Sequence, residues 1–370
     1  MESPADFGVS VSEPIQRGLL AGLLYLRKET ISAKRITVHD VARVAGVAIA
    51  TVSRVVNGAP TVAEDVRLRV RLAIDELGWV PSVAAQSMRG ISARMIGFIF
   101  SDIRNPIYSA MVKGAEDVLS EHGYMLMVAS SDGSSVRELA LLELFKRRGA
   151  DGVIFSLQDE SNKDVLASVT TGNLPVVLLE RELSAALNAV RADHIGGVRR
   201  AVEYLLSLGH RRIALITGGL GNRVARDRLS GLQQAYENAG LKMDTQLLRL
   251  DSFSTDYAFR ETQLLLNLPD PPTAILALGM QLLAGVLPAI RMKKLNVPDD
   301  VSLIASNDSD LAQLATPAVT VIRYDAYTLG CEAARLLLRQ LRGELAPVGA
   351  LIQIPTELVM RDSCAPPRTQ

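Results

Sequence analysis

Beyond Arg94, short apolar runs alternate with helical patterns, and this alternation limits the possible folds more than any other feature. The first series of apolar runs is MIGFIF, YMLMVA, DGVIFS and PVVLLE, and the second is AVRAD, RRIALITGG, LLRL, TAILAL and VSLIAS. Helices are predicted between them over 107–121, 136–148, 195–207, 224–239 and 257–267. Such alternation is typical of a parallel, doubly wound sheet. Two series predict two similar α/β subdomains, with a ligand cleft at the carboxyl ends of their strands.

The segment before this region is basic. Residues 34–94 hold nine Lys or Arg and five Asp or Glu, a balance of +4, whereas the 370-residue chain has 40 of each sign. A chain that coats nucleic acid or a membrane along its whole length is therefore excluded. The local excess indicates a small nucleic-acid-binding module attached to an acidic body.

Two short helices joined by a glycine turn are predicted within the basic segment. Thr37 is a candidate N-cap, Gly46 ends the first helix, and Asn57 with Gly58 ends the second. This arrangement is a helix-turn-helix, whose second helix enters the major groove of DNA. Arg54 can contact guanine through two hydrogen bonds, whereas Ile49 and Ala50 can make only apolar contacts. The alternative is an ordinary helical hairpin with a solvated Arg54.

A third helix is predicted to end at Leu77, because GWVP follows it. The next residues, SVAAQSMRG, suffice for about two helical turns but not for an independently stable helix. We therefore expect them to form a hinge that folds on binding.

These motifs together resemble the lactose/galactose repressor (LacI/GalR) family of transcriptional regulators. DVARVAG, ATVSRVVNG, DELGWVP and AAQSMRG occur in the family's order and spacing, and similarity continues through SDIRNPIYSAMVKGAED, LPVVLLER, LGHRRIALITG and VPDDVSLIASND. The resemblance spans residues 36 to 362 and implies a body of periplasmic-binding-protein type that binds a small-molecule effector. It also implies a homodimer on palindromic operator DNA, with Met88 wedged into the minor groove. The candidate DNA-binding residues are Thr37, Ile49, Ala50, Thr51, Ser53, Arg54, Asn57, Ala85 and Met88.

The same resemblance gives the expected domain order. It is an N-terminal extension (1–33), a helix-turn-helix domain (34–81), a hinge (82–93), an effector-binding and dimerisation domain (94–362) and a tail (363–370). Within the body, the first subdomain is expected at about 94–190 and 323–346, and the second at about 191–322 and 347–362. The extension fits either an amphipathic helix or a disordered or clipped segment. The final RDSCAPPRTQ holds no leucine heptad, so a dimer is expected rather than a tetramer.

The resemblance also places candidate effector-binding residues in the cleft. They are Ile107, Tyr108, Asp193, Arg228, Phe253 and Asn307. Tyr108 would stack on a ring, Phe253 would form an aromatic wall, and Asp193 with Arg228 would hold hydroxyls or, through Arg228, a carboxylate.

Each of these roles has a structural alternative. Asp193 would instead cap a helix, Tyr108 and Phe253 would belong to the core, and Arg228 would pair with Asp227 or Asp308. Asn307 stands where the family usually has aspartate.

The identity of the effector is constrained by a departure from the family pattern. Gly279 and Met280 stand where the family usually has asparagine and aspartate. This change disfavours a simple hexose and favours a less hydroxylated ligand or one with an acid group.

Several other functions are disfavoured by the sequence. Cys331 and Cys364 form no CxxC motif, the four histidines are scattered, and no catalytic set or phosphate-binding glycine loop is evident, so neither a metal, a cofactor nor an enzyme is predicted. No run approaches the roughly 20 apolar residues that span a bilayer, and the early apolar run at 18–26 has no signal-peptide cleavage pattern. The sequence therefore predicts a cytoplasmic, effector-responsive transcriptional repressor that does not bind a membrane. The alternative is a cytoplasmic solute sensor that acts through a protein partner.

Overall fold

The computed structural model describes residues 36–56, 58–79, 92–344 and 349–368. The chain divides into two compact units, 1–82 and 83–370, which we call the head and the body.

The head consists of three described helices: α1 (Val38–Ala45), α2 (Ile49–Val56) and α3 (Glu64–Leu77). Their apolar faces form a small core of Val41, Ala42, Ala45, Val52, Val55, Val70 and Ala73. Trp79 is half-buried against this core. Gly46 and Gly78 follow α1 and α3 with φ of 65° and 59°, a left-handed conformation that glycine adopts without a Cβ penalty. The predicted helix-turn-helix is therefore present.

The first lobe of the body is a six-stranded sheet with helices on both faces. Its strands, all parallel, are arranged in the order β11-β5-β4-β3-β1-β2. The strands are β1 (Met95–Phe100), β2 (Met125–Ser130), β3 (Gly152–Ser156), β4 (Val176–Leu179), β5 (Asn188–Ala192) and β11 (Leu351–Ile354). The helices are α4 (Ile107–Glu121), α5 (Ser135–Arg147), α6 (Lys163–Thr171) and α12 (Ala326–Leu341).

The second lobe has the same design, in the strand order β12-β10-β9-β8-β6-β7. Only the pair of β12 with β10 is antiparallel among its described strands. The strands are β6 (Ile213–Gly218), β7 (Leu248–Asp251), β8 (Ala274–Ala277), β9 (Ser302–Ser306), β10 (Thr320–Tyr324) and β12 (Thr356–Val359). The helices are α7 (His194–Ser207), α8 (Arg223–Asn238), α9 (Thr255–Leu266), α10 (Leu283–Met292) and α11 (Asp310–Leu314).

The chain crosses between the lobes at 192–194, 324–326 and 354–356, where one sheet ends and an element of the other lobe begins. The α/β architecture predicted from the alternating pattern is confirmed. Ligands of parallel sheets bind at the carboxyl ends of strands, and both sheets turn those ends toward a shared cleft. This topology positions the candidate effector site.

The subdomain limits differ from the expected ones at two strands. The AVRAD run forms β5, which pairs with β4 in the first sheet, not the second. The segment 351–354 forms β11, which pairs with β5, so it too belongs to the first lobe. Both strands lie beside a crossover between the lobes. The apolar content of the sequence is the same before and after the crossover, so only the hydrogen-bonded neighbours of a strand determine which sheet it belongs to.

The expected tail also differs, because its first residues pack into the second lobe. The Ser363 side chain is fully buried, and its hydroxyl accepts a hydrogen bond from the Thr320 amide (2.8 Å) and donates one to the Leu303 carbonyl (2.6 Å). The Ala365 carbonyl accepts hydrogen bonds from His210 Nε2 (2.9 Å) and Ser302 Oγ (3.1 Å). These polar bonds explain why a segment without an apolar pattern belongs to the body.

Candidate functional site

The exposed face of α2 carries the predicted base-contacting residues. Val52 and Val55 point into the head core, which turns Ile49, Ala50 and Arg54 toward solvent. Thr51 and Ser53 lie at the edge of this face and are half-buried. Asn57, Ala85 and Met88 lie outside the described residues. The described part of the helix therefore presents one cationic side chain and two apolar ones.

Thr37 begins the first helix of the motif. Its amide and hydroxyl both donate hydrogen bonds to Asp40 Oδ2, at 3.0 and 2.8 Å. These bonds lower the pKa of the Asp40 carboxyl below its usual value. Thr37 therefore fixes the start of α1, as its predicted capping position requires.

The loop between α2 and α3 is held by one arginine. Arg67 Nη2 donates hydrogen bonds to the carbonyls of Ala59 and Val62, both at 3.3 Å. An arginine with several donors can satisfy loop carbonyls in this way. Arg67 therefore contributes to the structure of the motif. The basic composition of the segment alone could not have distinguished this structural role from phosphate binding.

The cleft between the lobes of the body encloses a cavity of about 320 Å³. Four of the predicted effector-binding residues line it: Ile107, Tyr108, Arg228 and Phe253. The wall is mostly polar, and its other members include Gln158, Glu180, Arg181, Asn222 and Tyr324. Volume and chemistry suit a small polar ligand with one apolar face.

Arg228 is a buried cation in this cavity. Its side chain is 4% exposed, and Nη1 donates to Thr217 Oγ1 (3.2 Å) and to the Leu278 carbonyl (2.6 Å). Burial lowers the pKa of the guanidinium, and the charge of Glu180 is among the opposing influences. Within the described residues, Arg228 makes no ion pair with a carboxylate, because Asp227 pairs with Arg223 and Asp308 with Arg361. Pairing with Asp227 or Asp308, the structural alternative for Arg228, is therefore not observed.

Phe253 lies beneath Arg228 in a slot between two glycines. The Arg228 Cζ atom is 5.8 Å from the ring centroid, within the range of a cation–π contact. A Cβ atom would lie 2.1 Å from the Phe253 ring at Gly218 and 2.9 Å from it at Gly279. Glycine at position 279 therefore has two effects: it removes the hydroxyl-binding side chain that the family usually has there, and it leaves room for the Phe253 ring.

Tyr108 belongs both to the cavity wall and to the core of the first lobe. Its ring stacks on Phe100 with centroids 4.6 Å apart, and its hydroxyl shares hydrogen bonds with Ser101 Oγ (3.3 Å) and Ser156 Oγ (3.2 Å). Ile107, at the first turn of α4, is half-buried beside it. The two interpretations of Tyr108 therefore describe different faces of one side chain.

Asp193 and Asn307 lie outside the cavity wall. Asp193 caps α7 by accepting a hydrogen bond from the Gly196 amide (2.9 Å), and it also contacts Gln353 Nε2 (3.2 Å). Asn307 accepts a hydrogen bond from the Tyr324 amide (3.0 Å) and lines a neighbouring, more open groove of about 920 Å³. Both side chains bind local backbone at crossovers, and this geometry favours the capping alternative for Asp193.

Glu180 is a cavity residue that sequence reasoning missed. It is 5% exposed, its carboxylate accepts a hydrogen bond from the Ala192 amide (2.6 Å), and it is also hydrogen-bonded to His194 Nε2. Burial would raise the pKa of Glu180, but His194, the Ala192 amide and Arg181 together lower it below its usual value. Its position directly after the apolar run PVVLL, at the carboxyl end of a strand, was the signal that could have identified it.

Arg181 and Tyr324 complete the floor of the cavity. Arg181 Nη1 donates to the Glu180 carbonyl (2.8 Å), and its Nε donates to the Leu157 carbonyl. Burial raises the pKa of Tyr324, and the nearby negative charge of Glu180 adds to this effect. The Tyr324 hydroxyl therefore stays protonated at neutral pH and can act as a donor or an acceptor.

Two further observations limit the chemistry of the described residues. No group of three or more His, Cys, Asp or Glu side chains is arranged there to hold a metal ion. No helix in the described ranges is both long and apolar enough to cross a membrane.

A helical DNA-binding head followed by a two-lobed body with a polar cleft defines the class of effector-controlled DNA-binding transcriptional regulators. The sequence matches the family model for bacterial regulatory proteins of the lacI family over 37–82 and a periplasmic binding protein-like domain over 202–364. It is 31% identical to the HTH-type transcriptional regulator DegA of Bacillus subtilis over 336 residues, which cover 90% of this chain and 99% of DegA. The chain belongs to the lacI family, as its motifs predicted.

Solved structures give the same result. The Lac repressor dimer bound to operator and an anti-inducer superimposes with a TM-score of 0.75 and 28% identity, covering 90% of this chain and 100% of that one. The CelR–cellobiose complex superimposes with a TM-score of 0.68 and 30% identity, covering 89% of this chain and 100% of that one. The described relatives are transcriptional regulators rather than enzymes.

Proposed function

We propose that this protein is a cytoplasmic, homodimeric repressor whose affinity for a palindromic operator changes when a small metabolite occupies the cleft. The main support for an effector in the cleft is the buried Arg228, which faces a polar cavity and has no carboxylate partner among the described residues. A second ligand is expected at the exposed face of α2, where Arg54 is free to reach base edges. The dimer on operator DNA seen for the similar Lac repressor supports this arrangement.

The effector is expected to be a sugar or a sugar-acid-like compound. Burial of an unpaired cation is costly, so an occupant that brings carboxylate or hydroxyl oxygens to Arg228 is favoured. Phe253 offers an apolar surface for one face of a ring, and Tyr324 and Glu180 are polar members of the same cavity wall. The cellobiose bound to CelR shows that a similar protein holds a carbohydrate.

The two functions would be linked through the lobes of the body. Ligand binding that favours one lobe arrangement changes DNA affinity by the difference in free energy between the arrangements. A coupling of about 1–3 kcal/mol changes operator affinity about 5- to 150-fold. At the hinge, Ala85 and Met88 would contact the minor groove, with Met88 as an apolar wedge.

The test begins with DNA selected from a random pool and a panel of sugars and sugar acids tested by thermal shift. A cleft ligand should raise the melting temperature of the wild-type protein by mass action and change its affinity for the selected DNA. Arg228→Ala should lose both responses, whereas Arg291→Ala, a change at an exposed arginine of the same lobe, should keep them. A response of unchanged strength in Arg228→Ala would contradict the assignment.

A protein without sequence-specific DNA binding would instead favour the solute sensor that acts through a protein partner. In that case the selection would return no consensus, although the thermal shift would still identify a ligand. The exposed Arg54 on α2 favours the repressor, because docking to a protein does not require it.

A further inference from the structure

Two ion pairs join the lobes beside the cavity, and we call them the inter-lobe clamp. Glu160 and Glu182, from the loops after β3 and β4 of the first lobe, pair with Arg226 and Arg223, on α8 of the second. The crossovers connect the lobes covalently at other positions. The clamp is therefore a separate, noncovalent contact between them.

The pair of Glu160 with Arg226 is shielded from water on the Glu160 side only, because the Arg226 side chain is 40% exposed. The Glu160 side chain is 4% exposed, and its second oxygen accepts a hydrogen bond from the Glu182 amide (3.2 Å). Arg226 Nη1 donates to the Leu220 carbonyl (2.8 Å), which fixes the guanidinium on its own lobe. Removing Arg226 would leave an uncompensated buried charge on Glu160, whereas dissolved salt reaches the exposed Arg226 side chain and can screen the pair.

The second pair is part of a chain of alternating charges. Glu182 also contacts Arg191 of the first lobe at 2.7 Å, and Arg223 also contacts Asp227 of the second at 2.5 Å. Each member of the inter-lobe pair is therefore positioned by an opposite charge on its own lobe. Such positioning reduces the side-chain entropy lost when the lobes meet.

The main chains of the two lobes also touch at this point. The Glu160 amide donates a hydrogen bond to the Gly221 carbonyl at 3.0 Å. A Cβ atom at Gly221 would lie 2.9 Å from Asp159 Oδ1, so only glycine fits this approach without a shift of the neighbouring side chain. The Glu160 amide therefore reports directly on whether the lobes are closed here.

The clamp loops are the same loops that line the cavity. Gln158 lies two residues before Glu160, Arg181 directly precedes Glu182, and Asn222 directly precedes Arg223. Asn222 is 3% exposed, and its Nδ2 has no hydrogen-bond partner among the described groups. Separation of the clamp would move these residues apart and open the cavity.

We propose that the two ion pairs hold the lobes closed in the absence of ligand, so that entry into the cavity requires the clamp to break. The inference concerns the cleft of the proposed function, but its test needs neither effector nor operator. A failure of the clamp proposal is therefore distinguishable from a failure of the proposed regulatory function.

The experiment measures amide hydrogen exchange in the full-length, ligand-free protein. In the double variant Arg223→Ala/Arg226→Ala, exchange at the Glu160 amide should accelerate at least about tenfold, because the lobes open more often. The amides of Ile154 and Ile216, within the central strands of each lobe, should not change. Arg291→Ala is the matched control for loss of an arginine from the second lobe.

A salt titration of the wild-type protein provides the second measurement. Raising the salt concentration from about 0.05 to 1 M shortens the screening length, so Glu160 exchange should accelerate while the two strand amides stay protected. Unchanged exchange at Glu160 in the double variant would overturn the proposal. If the double variant loses its fold and all amides accelerate, the wild-type titration decides: acceleration confined to Glu160 supports the clamp, and its absence overturns it.

Discussion

Buried charges in the first lobe and the cleft differ in how they are compensated. Glu180 has His194 and a backbone amide as partners, whereas Arg228 has only neutral oxygens and the Phe253 ring. Glu138, on α5, is fully buried and accepts a hydrogen bond from the Gln158 amide (2.8 Å), but its Oε2 has no partner in the described structure. Arg228 faces the cavity, so a ligand can compensate it. Glu138 does not line the cavity and is expected to destabilise the fold when ionised.

Replacement of Glu138 by glutamine tests whether the buried carboxylate destabilises the fold. Burial raises the pKa of the Glu138 carboxyl above its usual value, so the charged form is less favourable in the folded protein than in the unfolded chain, and the stability from this group is lost as pH rises through the folded pKa. Glu138→Gln cannot ionise and keeps an acceptor for Gln158. We expect it to be more stable than the wild type by about 1 kcal/mol at pH 7, with the difference disappearing near pH 4.

Urea unfolding followed by circular dichroism between pH 4 and 8 measures this difference. Glu143→Gln, an exposed position on the same helix, should show no comparable pH dependence. A lower urea midpoint for Glu138→Gln at pH 7 would show that the carboxylate is compensated.

Arg54 carries the prediction for sequence recognition. Arg54→Ala should weaken operator binding by about 1–3 kcal/mol for each bidentate base contact and relax the preference at one symmetric pair of positions. Stability should not change, because the side chain is exposed. Selection from random DNA with wild type, Arg54→Ala and Arg71→Ala measures the effect. If Arg54→Ala selects the unmodified consensus, Arg54 contacts only phosphate.

At the scale of elements, most described helices of the body begin with side-chain caps, with α4 and α10 as exceptions, whereas α3 of the head does not. Ser134, Asn162, Asp193 and Ser254 accept hydrogen bonds from amides in the first turns of their helices. The residue before α3 is Ala63, which has no side-chain acceptor, although its ψ of 146° suits a capping position. The first-turn amides of α3 therefore lack a side-chain partner at that position.

Ala63→Ser should supply this cap. We expect the head to gain about 1 kcal/mol of stability, because the hydroxyl can accept a hydrogen bond from an amide of the first turn. Trp79 is the only tryptophan of the sequence and packs on the head core, so its fluorescence during urea unfolding measures the head alone. Ala50→Ser, the same chemical change inside α2, should give no gain. An equal effect of both changes would exclude capping as the cause.

At the scale of the whole molecule, the proposed functions are divided between the head and the body. The candidate DNA-contacting residues begin at Thr37, and the cavity residues lie between Ser101 and Tyr324. Residues 1–33 hold three Lys or Arg and four Asp or Glu, so their net charge of −1 offers no attraction for phosphate. We therefore expect neither proposed activity to require these residues.

A protein that begins at Ala33 should keep the operator affinity and oligomeric state of the full chain. Titration with the selected DNA and sedimentation of both proteins at equal concentration measure the two properties. Loss of either property in the shorter protein would show that residues 1–33 contribute to function.

The sequence by itself determined the features that depend on neighbouring residues. The helix predicted over 107–121 coincides with α4, and Gly46 ends α1, because helical periodicity and glycine conformation are local properties. The family motifs gave the two-unit organisation, the exposed Arg54 and the position of Arg228 in the cleft. These conclusions required no knowledge of which distant segments pair.

Only the tertiary structure decided which groups share an environment. β5 and β11 join the first sheet, Asp193 binds the α7 backbone instead of lining the cavity, and Glu180 joins the cavity wall. The apolar pattern of a strand reports that it is buried but not which strand lies beside it, since the hydrogen bonds of a ladder join residues far apart in sequence. For the same reason the inter-lobe clamp could not be predicted from the sequence. Glu160 and Arg226 are 66 positions apart, and only the folded body shows that these two opposite charges are paired.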